Sequence, residues 1–312
     1  MENNNTNIKA IIDIGSNSIK MRAGYINNVG QVVIVHDETE VVKLGRGVNS
    51  TGFLAEENMN TTLKALKRMV DTAKKLNAGI LIAGTMALRL AKNSDEFLKR
   101  VHDLTGLDVR ILSGVEEAEY SRSGAVEGIE GIDDVENSVV FDTGGGSTEF
   151  INGEGKIDSV PVGAVTLTER FFYDNDNPIT RAAWDNAYAY VQKIMNEHKI
   201  ASFKKNSDTK IIGVGGGVSV MASVKSANEL FLPLKLHGMH ITQKDIIRQA
   251  KLYASLNLSE RQKIVGLPAP RADVILGSAC IVLCALRILD ADYCTVSING
   301  LRHGLLISEC KK

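Results

Sequence analysis

Two stretches of the chain share one pattern of apolar and polar positions. AIIDIGSNSIKMRAGYI at 10–26 and VVFDTGGGSTEFIN at 139–152 each place an apolar run before a Gly/Ser turn, then a second, alternating run. A short apolar run, a turn and a period of two predict a β-hairpin. Aligning Asp13 with Asp142 also aligns Gly15 with Gly144 and Ser18 with Ser147, at an offset of 129 residues each time. Such self-similarity predicts a duplicated domain.

The segments after the two hairpins also match. After the first, the pattern predicts a third strand at Val32–Val35 and a helix whose apolar face holds Met59, Leu63, Leu66, Met69, Val70, Ala73 and Leu76. It then predicts strand Ile80–Ala83, a helix from about Ala87 to Leu104, strand Val109–Leu112 and a helix from about Glu116. The order is βββαβαβα. The second half predicts a third strand at Ser159–Val162 and helices near Ala164–Phe172 and Ala182–His198. Strand Lys210–Val214 then runs into Gly215–Gly217 and a helix, and strand Cys294–Ile298 into Asn299-Gly300 and a last helix. Alternating strands and helices predict an α/β fold. The run Val274–Leu289 is shorter than the ~20 residues that span a bilayer and contains Arg287, which predicts a buried helix.

Composition narrows the function. At about 100–200 residues per domain, 312 residues accommodate two domains. The 36 basic and 37 acidic side chains leave a formal charge of −1, which excludes a globally basic nucleic-acid binder but not a local anion site. The Asn-rich start does not resemble a signal peptide. Cys280, Cys284, Cys294 and Cys310 show no CxxC spacing and read as small buried hydrophobes suited to a reducing cytoplasm. There is no GxxxxGK[ST] segment, the glycines at 213 and 215–217 do not make a dinucleotide fingerprint, and His237 and His240 lack further zinc ligands nearby.

The candidate chemistry sits in the turns. Gly15-Ser16-Asn17-Ser18 and Gly144-Gly145-Gly146-Ser147-Thr148 suit anion binding: glycine lets the backbone approach a phosphate, and Ser, Thr and Asn add donors. Asp13 and Asp142 end the first strand of each hairpin, and Glu149 opens the second strand of the second one. Carboxylates beside a phosphate site repel substrate unless a cation intervenes, which points to Mg²⁺ or another divalent ion; the competing reading is turn capping. Glu116 and Glu117 open a helix, where acids are also favoured by the helix dipole. Arg89 lies just past a strand end, where ligands of α/β sheets collect.

With these residues in place the chain resembles the exopolyphosphatase / guanosine pentaphosphate phosphohydrolase (Ppx/GppA) family of the actin–sugar kinase–Hsp70 superfamily. The resemblance rests on DIGSNS at 13–18, LGRGV at 44–48, TMALRLA at 85–91, SGVEEA at 113–118, DTGGGSTE at 142–149, VGAVTLTERFF at 162–172, GVGGG at 213–217, PRADVI at 270–275 and NGLRHGLL at 299–306. It implies two RNase H-like (actin-like ATPase) domains with an interdomain cleft. We place them at 1–122 and 123–312, with a C-terminal helix at about 303–312 packing back on the first. It implies Glu117 as the catalytic carboxylate, Arg89 at the phosphate, and Asp142 and Glu149, with Asp13 nearby, at Mg²⁺. Ser16, Asn17, Ser18, Gly145, Gly146, Ser147 and Thr148 are the expected phosphate-binding residues.

The expected activity is release of orthophosphate from the end of inorganic polyphosphate by a cytoplasmic homodimer, with no nucleic-acid or membrane partner. Hydrolysis of pppGpp, sensing of (p)ppGpp by a regulator, and ATP-dependent phosphotransfer are the alternatives. The chain ends where short family members end, so distributive shortening of long chains is expected, with capture by Arg89 and by Arg22, Lys43 and Arg46. Arg46 stands where related sequences often carry an acid.

Overall fold

A computed structural model describes residues 7–129, 135–173, 177–227 and 235–312. The chain divides into two units, one of residues 1–120 with 301–312 and one of residues 121–300.

The first unit opens with strands β1 (Lys9–Ile14), β2 (Ser18–Ile26) and β3 (Val32–Val41). Helices α1 (Val48–Thr51) and α2 (Glu56–Lys75), strand β4 (Gly79–Gly84), helices α3 (Met86–Leu90) and α4 (Ser94–Thr105), and strand β5 (Val109–Ile111) come next. Helix α5 (Gly114–Ala125) crosses the division between the units. The sheet order is β3-β2-β1-β4-β5, with β1, β4 and β5 parallel and the β1–β2–β3 meander antiparallel.

The second unit repeats the plan. Strands β6 (Ser138–Thr143), β7 (Thr148–Asn152) and β8 (Ile157–Val160) form the meander. Helices α6 (Ala164–Phe171) and α7 (Arg181–Glu197), strand β9 (Lys210–Val214), helix α8 (Gly216–Ser226) and strand β10 (His240–Thr242) come after it. Helices α9 (Gln243–Ala254), α10 (Leu258–Arg261) and α11 (Ile275–Ile288) and strand β11 (Tyr293–Val296) complete it. Its order, β10-β11-β9-β6-β7-β8, is that of the first sheet with one antiparallel strand added at the edge. Helix α12 (Leu301–Cys310) returns to the first unit.

Each unit has its own core. In the first, the apolar face of α2 (Met59, Leu63, Leu66, Met69, Val70, Ala73) packs with Ile12, Ile14, Ile19 and Met21. On the opposite sheet face Leu301, Leu305 and Leu306 of α12 pack with Ile11. In the second, α11 is buried along nearly its whole length, as its apolar run predicts. No helix among the described residues is long and apolar enough to cross a membrane. Cys280, Cys284 and Cys294 are buried free thiols, and burial pushes Cys284 and Cys294 up to about 12.

The helix expected over 87–104 is two helices. Asn93 leaves the helical path and binds Leu54 through both backbone groups, accepting from its N–H at 2.8 Å and donating to its carbonyl at 3.1 Å. Strand β3 runs on to Val41 through the polar stretch 36–40. Its side chains there are held by partners distant in sequence: Asp37 by Arg22 and Arg302, and Glu40 by Arg68.

Candidate functional site

Parallel register brings the candidate residues of the first unit to one edge of its sheet. Ile14 lies beside Gly84, and Gly84 beside Ile111, so three strands end level. The segments that leave them are the 15–18 turn, Thr85 to Arg89, and Ser113 to Glu117. Carboxyl ends of parallel strands are where α/β sheets bind ligands.

The 15–18 turn closes with Gly15 N–H donating to the Ser18 carbonyl at 3.1 Å. A Cβ on Gly15 would stand 3.0 Å from that oxygen, so glycine is needed for close approach. The loop 42–45 clasps the turn from behind: the Asn17 carbonyl accepts from the N–H groups of Val42 and Lys43, and the Ser16 carbonyl from that of Gly45. Both side-chain polar atoms of Asn17 and the hydroxyl of Ser18 are buried without a hydrogen-bond partner. Buried polar groups without partners are rare and costly, and here they cluster on the turn expected to take phosphate.

Glu116 and Glu117 have different surroundings. Glu116 forms a capping box, accepting from Ser113 N–H at 2.9 Å while its own N–H donates to Ser113 Oγ at 3.2 Å. Arg110 donates to its other oxygen at 2.7 Å. The Ser113 backbone N–H, then Arg110 and the Ser113 hydroxyl, hold its carboxyl down at about 2. Glu117 is buried and accepts from Arg89 Nη1, which also donates to the Leu112 carbonyl. Glu116 is thus committed to starting the helix.

The second unit builds the same turn: Gly144 N–H donates to the Ser147 carbonyl at 2.9 Å. The start of α6 backs it, with Val165 N–H donating to the Gly145 carbonyl at 2.8 Å and Ala164 N–H to that of Gly144 at 3.0 Å. A Cβ on Gly163 would run into the Gly145–Gly146 peptide, so the backing is close. Gly146 and Ser147 are buried in the turn. Thr148 is fully buried, and its hydroxyl donates to the Val162 carbonyl at 2.6 Å, so its side chain braces the turn from inside.

The two turns differ in charge. Asp142 stands directly opposite Glu149 in the β6–β7 ladder, whereas Asp13 stands opposite Lys20. Lys20 and Glu149 are related by the same offset of 129. Asp13 has Lys20 Nζ 3.7 Å from Oδ2, while its Oδ1 is buried without a hydrogen-bond partner. Asp142 and Glu149 are like charges in a directly opposed pair, an arrangement that destabilises a sheet. Ser121 donates to Asp142 Oδ2 at 2.6 Å, and Ser159, opposite Glu149 in the next ladder, donates to Glu149 Oε1 at 2.9 Å.

Glycines flank the Asp142 carboxylate. A Cβ on Gly215, whose φ is +108°, would lie 3.2 Å from Oδ1, and one on Gly300 would lie 3.4 Å from Oδ2. The opposed Asp142 and Glu149 carboxylates are hard oxygen donors of the kind that Mg²⁺ takes. No group of three or more His, Cys, Asp or Glu side chains is gathered as a metal centre among the described residues.

Arg22 does not serve in anion capture. It is buried, donates to Asp37 Oδ2 through Nε and Nη2 at 2.8 and 2.6 Å, and meets His303 Nδ1 at 3.1 Å. Arg46 is exposed. Reasoning from sequence missed Ser121, Ser159 and Gly300. The helical period marks Ser121, four residues after Glu117 on α5, but Ser159 becomes visible only through sheet pairing and Gly300 only through its approach to Asp142.

Known proteins resemble this chain in sequence and fold. The chain is 32% identical over 322 residues to a bifunctional 3-dehydroquinate synthase/phosphatase of Fusobacterium nucleatum, covering 97% of this chain and 46% of that protein. It thus spans about half the length of this curated relative. A crystal structure of the Aquifex aeolicus Ppx/GppA family member superposes with a TM-score of 0.77 at 30% identity, over 97% of each chain. An exopolyphosphatase from Cytophaga hutchinsonii superposes with a TM-score of 0.85 at 24% identity, over 97% of this chain and 98% of that one, and shares the fold. The two units have the α/β, actin-like fold of these structures. Residues 25–312 match the Ppx/GppA phosphatase family, and with the turns, the paired carboxylates and the repeated sheet in place, the chain belongs to that family.

Proposed function

We propose that the protein hydrolyses the terminal phosphoanhydride of inorganic polyphosphate and releases orthophosphate. The observation that carries this reading is the row Asp142–Glu149–Ser159 beside the Gly144–Ser147 turn. An anion-binding turn next to two opposed carboxylates suits a phosphate chain that arrives with a cation. The relatives that share the fold include a protein described as an exopolyphosphatase.

In this reading Asp142 and Glu149 hold Mg²⁺, which when bound neutralises charge on the phosphoryl group. Backbone N–H groups of Gly145, Gly146 and Ser147, and the Ser16, Asn17 and Ser18 side chains, bind phosphate oxygens, as phosphoryl transfer requires positioning and electrostatics above all. Glu117 takes the proton of the attacking water. Arg89, which grips Glu117 here, binds a phosphate oxygen when substrate is present, and the carboxylate then turns to the water. Asp13 pairs with Lys20 in its own hairpin.

The test is phosphate release from polyphosphate of several lengths, pppGpp and ATP, compared by kcat/KM. Polyphosphate is expected to lead. A tenfold or larger preference for pppGpp would replace this reading by nucleotide 5′-phosphate hydrolysis, and dependence of product on an acceptor alcohol would replace it by phosphotransfer.

A further inference from the structure

The two opposed carboxylates of the second unit share a feature. Each has a serine hydroxyl on one of its oxygens, Ser121 on Asp142 Oδ2 and Ser159 on Glu149 Oε1. Both hydroxyls come from elements outside the β6–β7 hairpin: Ser121 from α5, one turn after Glu117, and Ser159 from β8. Ser121 is 3% exposed. A hydroxyl has one proton, and at 2.6 Å from a carboxylate oxygen that proton makes a short, charge-assisted bond. The carboxylate can then no longer rotate freely about its Cβ–Cγ bond. Neighbouring groups that fix metal-binding carboxylates in this way typically contribute about 10–100-fold to metal affinity.

A purely structural role accounts for the contacts less well. Burying a serine against a carboxylate is not needed to pack α5, whose neighbouring buried positions Ala118 and Ala125 are apolar. In the hairpin of the first unit, Asp13 has Lys20 as its ionic partner instead.

We propose that Ser121 and Ser159 are positioning residues that hold Asp142 and Glu149 in the orientation in which they bind a divalent cation, Ser121 having the larger effect because its bond is shorter. The proposal rests on the Mg²⁺ reading of the Asp142–Glu149 pair. Neither serine touches substrate.

The experiment measures Mn²⁺ binding to the substrate-free protein by electron paramagnetic resonance and calorimetry, as a stand-in for Mg²⁺, in wild type, Ser121→Ala, Ser121→Thr and Ser159→Ala. Thermal unfolding without metal is recorded alongside. About a tenfold rise in the Mn²⁺ dissociation constant is expected for Ser121→Ala, and a smaller rise for Ser159→Ala. Unfolding temperatures should stay within a few degrees of wild type. Ser121→Thr, which keeps the hydroxyl, should bind metal within about twofold of wild type. At saturating Mg²⁺ the alanine variants should regain wild-type KM for polyphosphate, because only the metal requirement has moved.

Unchanged Mn²⁺ affinity in Ser121→Ala would overturn the proposal, as would equal weakening in Ser121→Ala and Ser121→Thr. Wild type that binds no Mn²⁺ would overturn it together with the metal reading. Retained polyphosphate hydrolysis alongside either result would show that the enzymatic reading survives without it.

Discussion

Replacing Glu117 by Gln, with Glu116→Gln as its partner experiment, separates a chemical role from a structural one on adjacent residues. Glutamine matches glutamate in size and keeps an oxygen that can accept from Arg89, but it cannot take a proton from water. Loss of a general base typically slows turnover by about 10²–10⁴, equivalent to about 2.7–5.5 kcal/mol of transition-state stabilisation. The cost to the fold is much smaller. Arg89 and Glu117 keep 23% and 11% of their side chains exposed, and in the variant Arg89 still donates to the Leu112 carbonyl. What is lost is the charged part of one hydrogen bond, about 1 kcal/mol, or a fall of a few degrees in Tm. Glu116→Gln should do the reverse: it weakens a capping box, at about 1 kcal/mol, and leaves turnover within about twofold. The assay is steady-state phosphate release from polyphosphate at saturating Mg²⁺, with Tm for each variant. Glu117→Gln that retains more than half of wild-type kcat, or Glu116→Gln that loses as much as Glu117→Gln, would refute the assignment.

Three further outcomes are expected. Asp142→Ala should raise the Mg²⁺ concentration needed for half activity and lower kcat, and EDTA should silence the wild type until Mg²⁺ is restored; full activity in EDTA would end the metal reading. Asp37→Asn should destabilise the protein by about 2–3 kcal/mol, toward the low end for a buried pair because Asp37 keeps about a third of its side chain exposed; urea unfolding that shifts by less than about 0.5 kcal/mol would show that Arg22 finds other acceptors. Because the folded-state pKa of Glu116 is depressed from 4.5 to about 2, its contribution is complete above the unfolded value and lost as pH falls between those limits. Acid unfolding of Glu116→Gln should therefore be flatter than that of wild type in this window, and an unchanged slope would place its ion pair outside the folding equilibrium.

The amino-acid sequence by itself determined the elements and their repetition. A period of two, a Gly/Ser turn and a helical period after them are local properties of the backbone, so the hairpins at 10–26 and 139–152 and the buried helix at 275–288 were legible without any partner. So were the turns at the strand ends, because glycine at 15 and 144 answers a contact only three residues away. Where a local signal competes with a distant partner, legibility ends: Asn93 breaks a helix to bind Leu54, and the polar half of β3 pairs because Arg22, Arg302 and Arg68 hold its acids. Tertiary structure also decided which candidates share surroundings. Register set Lys20 opposite Asp13 and Glu149 opposite Asp142, turned the Thr148 hydroxyl inward and brought Ser159 to Glu149, and the placement of α5 brought Ser121 to Asp142. The physical reason is that a side chain's charge and donors are written in the sequence, but the neighbour that compensates or orients them is chosen by strand pairing and helix packing over tens of residues.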